Sequence, residues 1–397
     1  MIELLAPAGS KEKLITALNY GADACYFAGK KYGLRAFSDN FEEEELEEYI
    51  AYTHKLGKKA YITVNIIAHN RDFDGLPDYI RYLEKIGADA VIVADIGVAK
   101  LVKEVAPKLQ LHISTQANIT NYYSAKFFEE MGADRIIMAR ELSLEELKTI
   151  RDSVSCEMES FVHGAMCISY SGRCLLSNYF TGRDSNGGAC VQACRWQYAI
   201  SEVNRQGQYY PIEEDERGTY ILNSKDLNMI THLKELRDAG ITSFKIEGRM
   251  KSKYYVAAVV NAYRRAIDAI NEGKEVPAEL IEELEKVSHR QYTTGFYCGA
   301  NDKECLSSSL PVQTAEYMAD VLTDSDEQGF AIIEQRNRFK VGDELEILSP
   351  TDSFNKKFII EEMYNEKGEK VDDAKNVQER LKIRCPFKLS RYDILRK

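Results

Sequence analysis

No run of this chain approaches the roughly 18 apolar residues that a membrane-spanning helix needs. Its opening, MIELLAPAGS, has neither the basic start nor the long apolar stretch of a secretory signal. Both absences predict a cytoplasmic protein with no membrane partner. Thiols stay reduced in that compartment, so nine cysteines, an odd number, are poor evidence for disulfides. Also missing are a Walker loop, an H-E-x-x-H pair and any recognisable Ser-His-Asp or Cys-His arrangement. Proteolysis needs an activated nucleophile, a metal-bound water or an acid dyad, and no such set is visible. Basic residues are outnumbered 52 to 63, for a formal charge of −11, which argues against indiscriminate nucleic-acid binding.

What is present begins with enough apolar content, 44% of 397 residues, for a large core and two or three domains. A short phrase recurs: YGADACYF at 20–27, IGADAVIV at 86–93, MGADRIIM at 131–138 and a degenerate AGITSFKI at 239–246. Each reads as a helix ending at glycine followed by a buried parallel strand. Eight such strands are expected, at 2–6, 24–28, 60–65, 90–94, 111–115, 135–139, 157–162 and 243–247, with helices at 42–56, 75–86, 121–131 and 143–151 among those between them. An α/β fold of the (β/α)8, TIM-like barrel type over residues 1–288 fits better than an open doubly wound sheet, which would more often show a Gly-rich dinucleotide turn.

The connection after the seventh strand is abnormally long, spanning 163–225 before a helix expected over 225–240. This Cys-rich insertion includes two alternating segments around RQGQ that resemble a hairpin, and it should lie over the barrel mouth, where βα loops gather. Residues 289–310 read as a polar linker. The alternating segments of 311–397 predict a small β-barrel or sandwich domain. Its last 18 residues carry Arg380, Lys382, Arg384, Lys388, Arg391, Arg396 and Lys397 against Asp393 alone. Such a tail suits either a phosphate backbone or a solvated edge strand.

Four cysteines fall within 28 positions: Cys167-x6-Cys174-x15-Cys190-x3-Cys194. They supply the four soft ligands of an iron–sulfur cluster or of a tetrahedral zinc site; unligated thiols are the third alternative. The close Cys-x2-Cys knuckles usual for zinc are absent. The other five cysteines are spread along the chain and suit packing.

Polar residues stand at the strand ends: Asn65, Asp95, Gln116, Asn118, Arg140, Glu141, Glu159, His163, Glu247, Arg249 and Lys251. Arg140, Arg249 and Lys251 are candidate anion clamps, and Glu159 and Glu247 candidate proton-transfer groups. Asn65, Gln116, Asn118, His163 and, within the insertion, Arg173 are candidate substrate-binding residues. The acidic run NFEEEELEEY at 40–49 reads as an Asn-capped helix start.

Taken together, ELLAPAGS, YGADACYFAGKKYGLRAFSDNF, ESFVHGAMCISYSGRCLLSNYFTGRD, GGACVQACRW, NSKDL and FKIEGRMKSKYYVA resemble the collagenase-like peptidase family U-32. More closely, they resemble its bacterial tRNA-hydroxylation branch. The resemblance covers nearly the whole chain. It implies an iron–sulfur protein, expected to carry a 4Fe–4S cluster, that makes 5-hydroxyuridine at the tRNA wobble position by an oxygen-independent, prephenate-dependent route. Cys167, Cys174, Cys190 and Cys194 match the family's cysteine motif. Some relatives draw a fourth ligand from a cysteine just after KDL, where this chain has Asn228. The partners implied are the tRNA anticodon arm and a paralogous or electron-transfer protein. Relatives acting on ribosomal RNA or in ubiquinone hydroxylation, and peptidase activity itself, are the competing readings.

Overall fold

A computed structural model describes residues 2–33, 40–167, 169–183, 190–193, 225–299 and 312–397, with the backbone of short strands at 200–201, 209–210, 214–215 and 218–219. Eight parallel strands form a closed barrel: β1 Glu3–Pro7, β2 Ala24–Phe27, β3 Lys59–Val64, β4 Ala90–Val93, β5 Gln110–Ile113, β6 Arg135–Ile137, β7 Glu157–Ala165 and β8 Ser243–Ile246. Strand β8 pairs with both β7 and β1, which closes the ring. The repeated glycine joint works as its sequence suggests. Gly21, Gly87, Gly132 and Gly240 all take positive φ just after a helix, and the chain then turns into the next strand.

Two local expectations are corrected. Residues 225–240 do not form one helix. Asp226–Asn228 is a short strand antiparallel to β7, and the α-helix is confined to Leu233–Asp238. The physical reason is the length of β7, which runs nine residues and leaves an unpaired edge beyond the barrel rim for Asp226–Asn228 to occupy. The helix of the acidic run, Glu43–Lys55, is capped by Glu42, with Glu45 closing a capping box, and not by Asn40. Asn40 Oδ1 instead accepts a hydrogen bond from Arg249, at 2.6 Å.

The short strands Ile200–Ser201 and Tyr209–Tyr210 pair antiparallel, as expected of the two alternating segments; RQGQ itself lies outside the described residues. Residues 289–299, expected as linker, pack against the barrel: Tyr292–Thr293 pairs with Asp226–Asn228, and the buried Tyr297 hydroxyl donates to the Phe161 carbonyl at 2.9 Å. Beyond lies an antiparallel sheet of eight strands, accompanied by the two-stranded ribbon Phe339–Lys340 with Asp373–Ala374. This domain has its own apolar core, including Met318, Ile333, Phe339, Ile347, Leu381 and Ile383.

The two domains are fixed together. Leu348 and Ile394 of the second sheet are part of the barrel's core cluster. The Tyr20 hydroxyl donates to the Leu348 carbonyl at 2.9 Å, and fully buried Arg396 pairs with Glu283 of the helix Ala278–Glu285 at 2.6 Å. Among the described residues, no helix is long and apolar enough to cross a membrane.

Candidate functional site

The barrel interior is charged in its middle. Inward positions of neighbouring strands put Arg135 of β6, Glu159 of β7, Lys245 of β8 and Glu3 of β1 into one network. Arg135 holds Glu159 at 3.1 Å, and Lys245 holds the other oxygen of Glu159 at 2.7 Å. Arg135 also binds Glu3, whose carboxylate accepts from Tyr61 and Ser243. Burial alone would push the Glu3 carboxyl up, but the Arg135 charge and these donors hold it below its ordinary value. Burial lowers the Lys245 ammonium against the pull of Glu159. Fully buried His112 lies edge-on to Tyr61, and burial, then the charges of Arg135 and Lys245, keep it neutral.

Glu159, expected at the mouth as a proton-transfer group, therefore sits sealed in mid-barrel. The cause is again the length of β7: position 159 is the third of nine residues, well below the strand's C-terminal end. Lys245 and Arg135 are not among the expected site residues, each being the lone cation of an otherwise largely apolar strand. Their signal was that position, where an unpaired charge would be prohibitively costly.

Above this layer lies the open end. The Lys245 ammonium is 4.4 Å from the Tyr26 ring centroid and 5.3 Å from that of Phe161. The Tyr26 hydroxyl donates to the Ile246 carbonyl at 2.9 Å and approaches Glu247 Oε2 at 3.4 Å. Glu247 Oε2 is 3.9 Å from an Arg140 nitrogen, and the Arg140 guanidinium lies 3.8 Å over the Phe161 ring while donating to the Ala165 carbonyl. Tyr26, Phe161, Arg140 and Glu247 thus form a half-open polar step between the sealed network and the loop after β7.

The other expected residues are distributed differently. Arg249 is buried and donates to Thr63 at 3.3 Å and to Asn40. Lys251 donates to the Ser288 carbonyl at 2.9 Å. His163 is boxed by the rings of Tyr255, Tyr263 and Tyr292, with Nδ1 3.3 Å from the Tyr263 hydroxyl. Burial, then the nearby Lys251 and His289, push its imidazole down to about 3. Asp95 caps the helix Ile96–Val105. Asn65 is half-buried after β3, and Gln116 and Asn118 lie in the turn after β5, Asn118 with φ 58°.

The cysteine loop is pinned onto this end of the barrel. Ser171 N donates to Glu141 at 2.9 Å, and the Thr115 hydroxyl reaches Ser171 at 3.4 Å. Gly172, with φ +72°, passes so close to the Gln116 carbonyl that a Cβ there would lie 2.2 Å from its oxygen, which only glycine permits. Cys167, Cys174 and Cys190 are brought near one another. Burial, with smaller contributions from Cys174 and Cys190, raises the Cys167 thiol above its ordinary value, against the opposing Ser169 N–H and Arg140 charge. The Gln192 N–H points at Cys190 Sγ at 3.4 Å, and Val191 N donates to Ser177, tying Cys190 to the helix Leu176–Thr181. Sulfurs that accept backbone N–H groups beside a cation suit thiolate ligands. Cys194 lies outside the described residues, and among these no three His, Cys, Asp or Glu are placed to hold a metal ion.

The basic tail is only partly available. Arg396 is fully buried in its pair with Glu283, and Lys397 pairs with Asp343 at 2.9 Å. Arg380, Lys382 and Arg391 instead line a cleft of about 1010 Å³ between the sheet and the helix Lys11–Asn19, together with Phe330, Tyr364 and Tyr392. Lys382 lies 4.6 Å over Phe330, and Arg391 4.9 Å over Tyr392.

Comparison with known proteins agrees with this architecture. Residues 9–307 match the model of peptidase family U32, and residues 313–396 that of the peptidase family U32 C-terminal domain. The chain is 39% identical over 400 residues to tRNA hydroxylation protein P1 of Bacillus subtilis, covering 100% of this chain and 94% of that one. It is likewise 39% identical to tRNA hydroxylation protein P of Escherichia coli, over 94% of this chain and 91% of that one. A protein named collagenase from Porphyromonas gingivalis is 30% identical over 88% of this chain and 87% of its own length. With a closed barrel, a cysteine loop on its mouth and the matching second domain in one chain, the protein belongs to peptidase family U32.

Proposed function

We propose that this protein is a tRNA-modification enzyme that hydroxylates the wobble uridine at C5, by an oxygen-independent route with prephenate as co-substrate. The observation that carries the reading is end-to-end likeness to tRNA hydroxylation protein P1 of B. subtilis. Cys167, Cys174, Cys190 and Cys194 would hold a 4Fe–4S cluster, whose chemistry when bound is one-electron transfer or Lewis-acid polarisation of a ligand.

The chain's own residues would do the rest. Arg140, braced on Phe161 and on the Ala165 carbonyl, presents a guanidinium suited to the carboxylate of a small co-substrate. Glu247, steadied by Tyr26, is placed to accept or return a proton at a bound substrate. The buried pair of Glu159 and Lys245 fills the barrel beneath them.

Peptidase chemistry is disfavoured. Among the described residues, the three buried histidines, His112, His163 and His289, hydrogen-bond no serine or cysteine. The decisive experiment expresses the chain in a bacterial host lacking its own tRNA hydroxylation proteins and measures hydroxyuridine-derived nucleosides in its tRNA. Restoration by wild type and not by Cys167→Ala is expected. Anaerobically purified protein should contain about four iron and four sulfide per chain. Absence of the nucleosides with wild-type chain present would overturn the proposal.

A further inference from the structure

A second cavity, of about 580 Å³, opens on the barrel rim beside the cysteine loop. Its walls come from the segments after β3, β4 and β5 and from Gly172 and Arg173 of the loop itself. Its composition is unusual for a surface: Tyr123 is 73% exposed, Ile96 54% and Phe127 48%. These side chains surround Gln116, Ser124 and Asp95, which add polar edges to an otherwise apolar groove. Arg173 makes no side-chain hydrogen bond or ion pair among the described residues, although its backbone is fixed by the Tyr170 carbonyl at 3.0 Å. Lys126 lies 5.6 Å over the Tyr122 ring, itself packed 4.6 Å from that of Tyr123.

Exposed aromatic faces next to an unpaired guanidinium are the elements that hold unpaired nucleotides, because every base has a face to stack and every phosphate a charge to meet. The volume suits one or two bases rather than a helix or a folded partner, and duplex RNA would bury its base faces away from Tyr123 and Phe127. The position matters as much as the chemistry. Arg173 is the residue before Cys174, so whatever this groove holds lies next to the cysteine loop. The polar rim can pair with base edges: Gln116 and Ser124 each offer a donor and an acceptor.

We infer that this groove binds an unpaired RNA nucleotide flanking the one to be modified, stacking its base on Tyr123 and Phe127 and meeting its phosphate with Arg173. The inference rests on the tRNA reading above and adds where the anticodon loop is gripped. Holding a neighbour by stacking leaves the target base free to swing toward the barrel mouth, as enzymes acting on bases require.

The test uses full-length protein, a hairpin RNA with an unpaired anticodon-like loop, and a fully paired RNA of equal length. Tyr123→Ala with Phe127→Ala should weaken hairpin binding by about 10- to 100-fold, and Tyr123→Phe should keep wild-type affinity. Arg173→Ala should weaken it by about 5- to 10-fold. Binding of the paired RNA should be unchanged throughout, and so should the unfolding temperature. If wild type binds the hairpin and the double alanine variant binds it within about twofold, the groove is not the nucleotide site, while the tRNA reading stands. If wild type binds neither hairpin nor tRNA, both fall. If the variant binds RNA normally but loses a copurifying protein, the groove docks a protein and the inference is overturned.

Discussion

Glu159 lies within β7 and Glu247 just past the end of the neighbouring β8, and each has a cation beside it, yet they live in different solvents. Glu159 is fully buried between Lys245 and Arg135, its two oxygens held at 2.7 and 3.1 Å. Glu247 is part-exposed, with Arg140 at 3.9 Å and a phenol at 3.4 Å. In mid-barrel the charges neutralise one another and leave nothing for a substrate to bind. At the mouth part of the Glu247 side chain stays open to solvent, where a ligand can meet it. Depth along the strand, not residue type, separates a structural charge from a chemical one.

The comparison breaks most sharply at Glu159. Glu159→Ala should cost about 3–5 kcal/mol of unfolding free energy, because Lys245 loses its partner in a site without water. Pairing Glu159→Leu with Lys245→Met should recover much of that loss, and denaturant unfolding of both variants gives the answer. A single-variant loss below about 1 kcal/mol would mean that the interior is wet and the distinction false.

Arg140→Ala should behave in the opposite way. We expect hydroxylation of tRNA to fall by about 100-fold, roughly 2.7 kcal/mol. Stability should change by about 1 kcal/mol or less, the worth of a part-exposed cation–π contact. Equal losses of activity and stability would place Arg140 with the structural charges.

His163, at the boundary between the two regions, gives a pH test. Its folded imidazole is depressed from 6.5 to about 3. Below pH 6.5 the unfolded chain binds a proton that the folded chain refuses, so stability is whole above that value and is lost as pH falls toward about 3. At about pH 5 the loss should reach roughly 2 kcal/mol, and His163→Gln should remove that part of the slope. Parallel curves for wild type and variant would show that the tyrosine box admits water.

The smallest effect is expected at the interdomain cleft. Arg380→Ser and Lys382→Ser should each weaken tRNA binding modestly and reduce its salt-dependence slope by about 0.9 per contact. An unchanged slope would leave the cleft's cations to their neighbours Glu334 and Asp326.

Much of the frame was legible because it rests on local rules. The eight strands fall within two residues of their expected starts, since a buried parallel strand must be apolar and its preceding helix must stop, here at Gly21, Gly87, Gly132 and Gly240. The cysteine loop was equally plain from spacing. Less legible were the partners of each charge. Asn40 read as a cap but holds Arg249 from 209 residues away. Arg396 read as part of a tail suited to a phosphate backbone or a solvated edge strand but is buried against Glu283, 113 residues distant. Tyr123 and Phe127 look in sequence like any helix aromatics, and only their exposure separates them from core residues.

Periodicity and glycine placement by themselves determined that this chain forms a barrel with a cysteine-rich loop over one end and a β-domain after it, because both act over a few neighbouring residues. Which polar side chains are sealed, which face the mouth and which cations remain free was decided only in three dimensions. There, strand length and register set how deep each residue lies, and depth sets whether water can reach it.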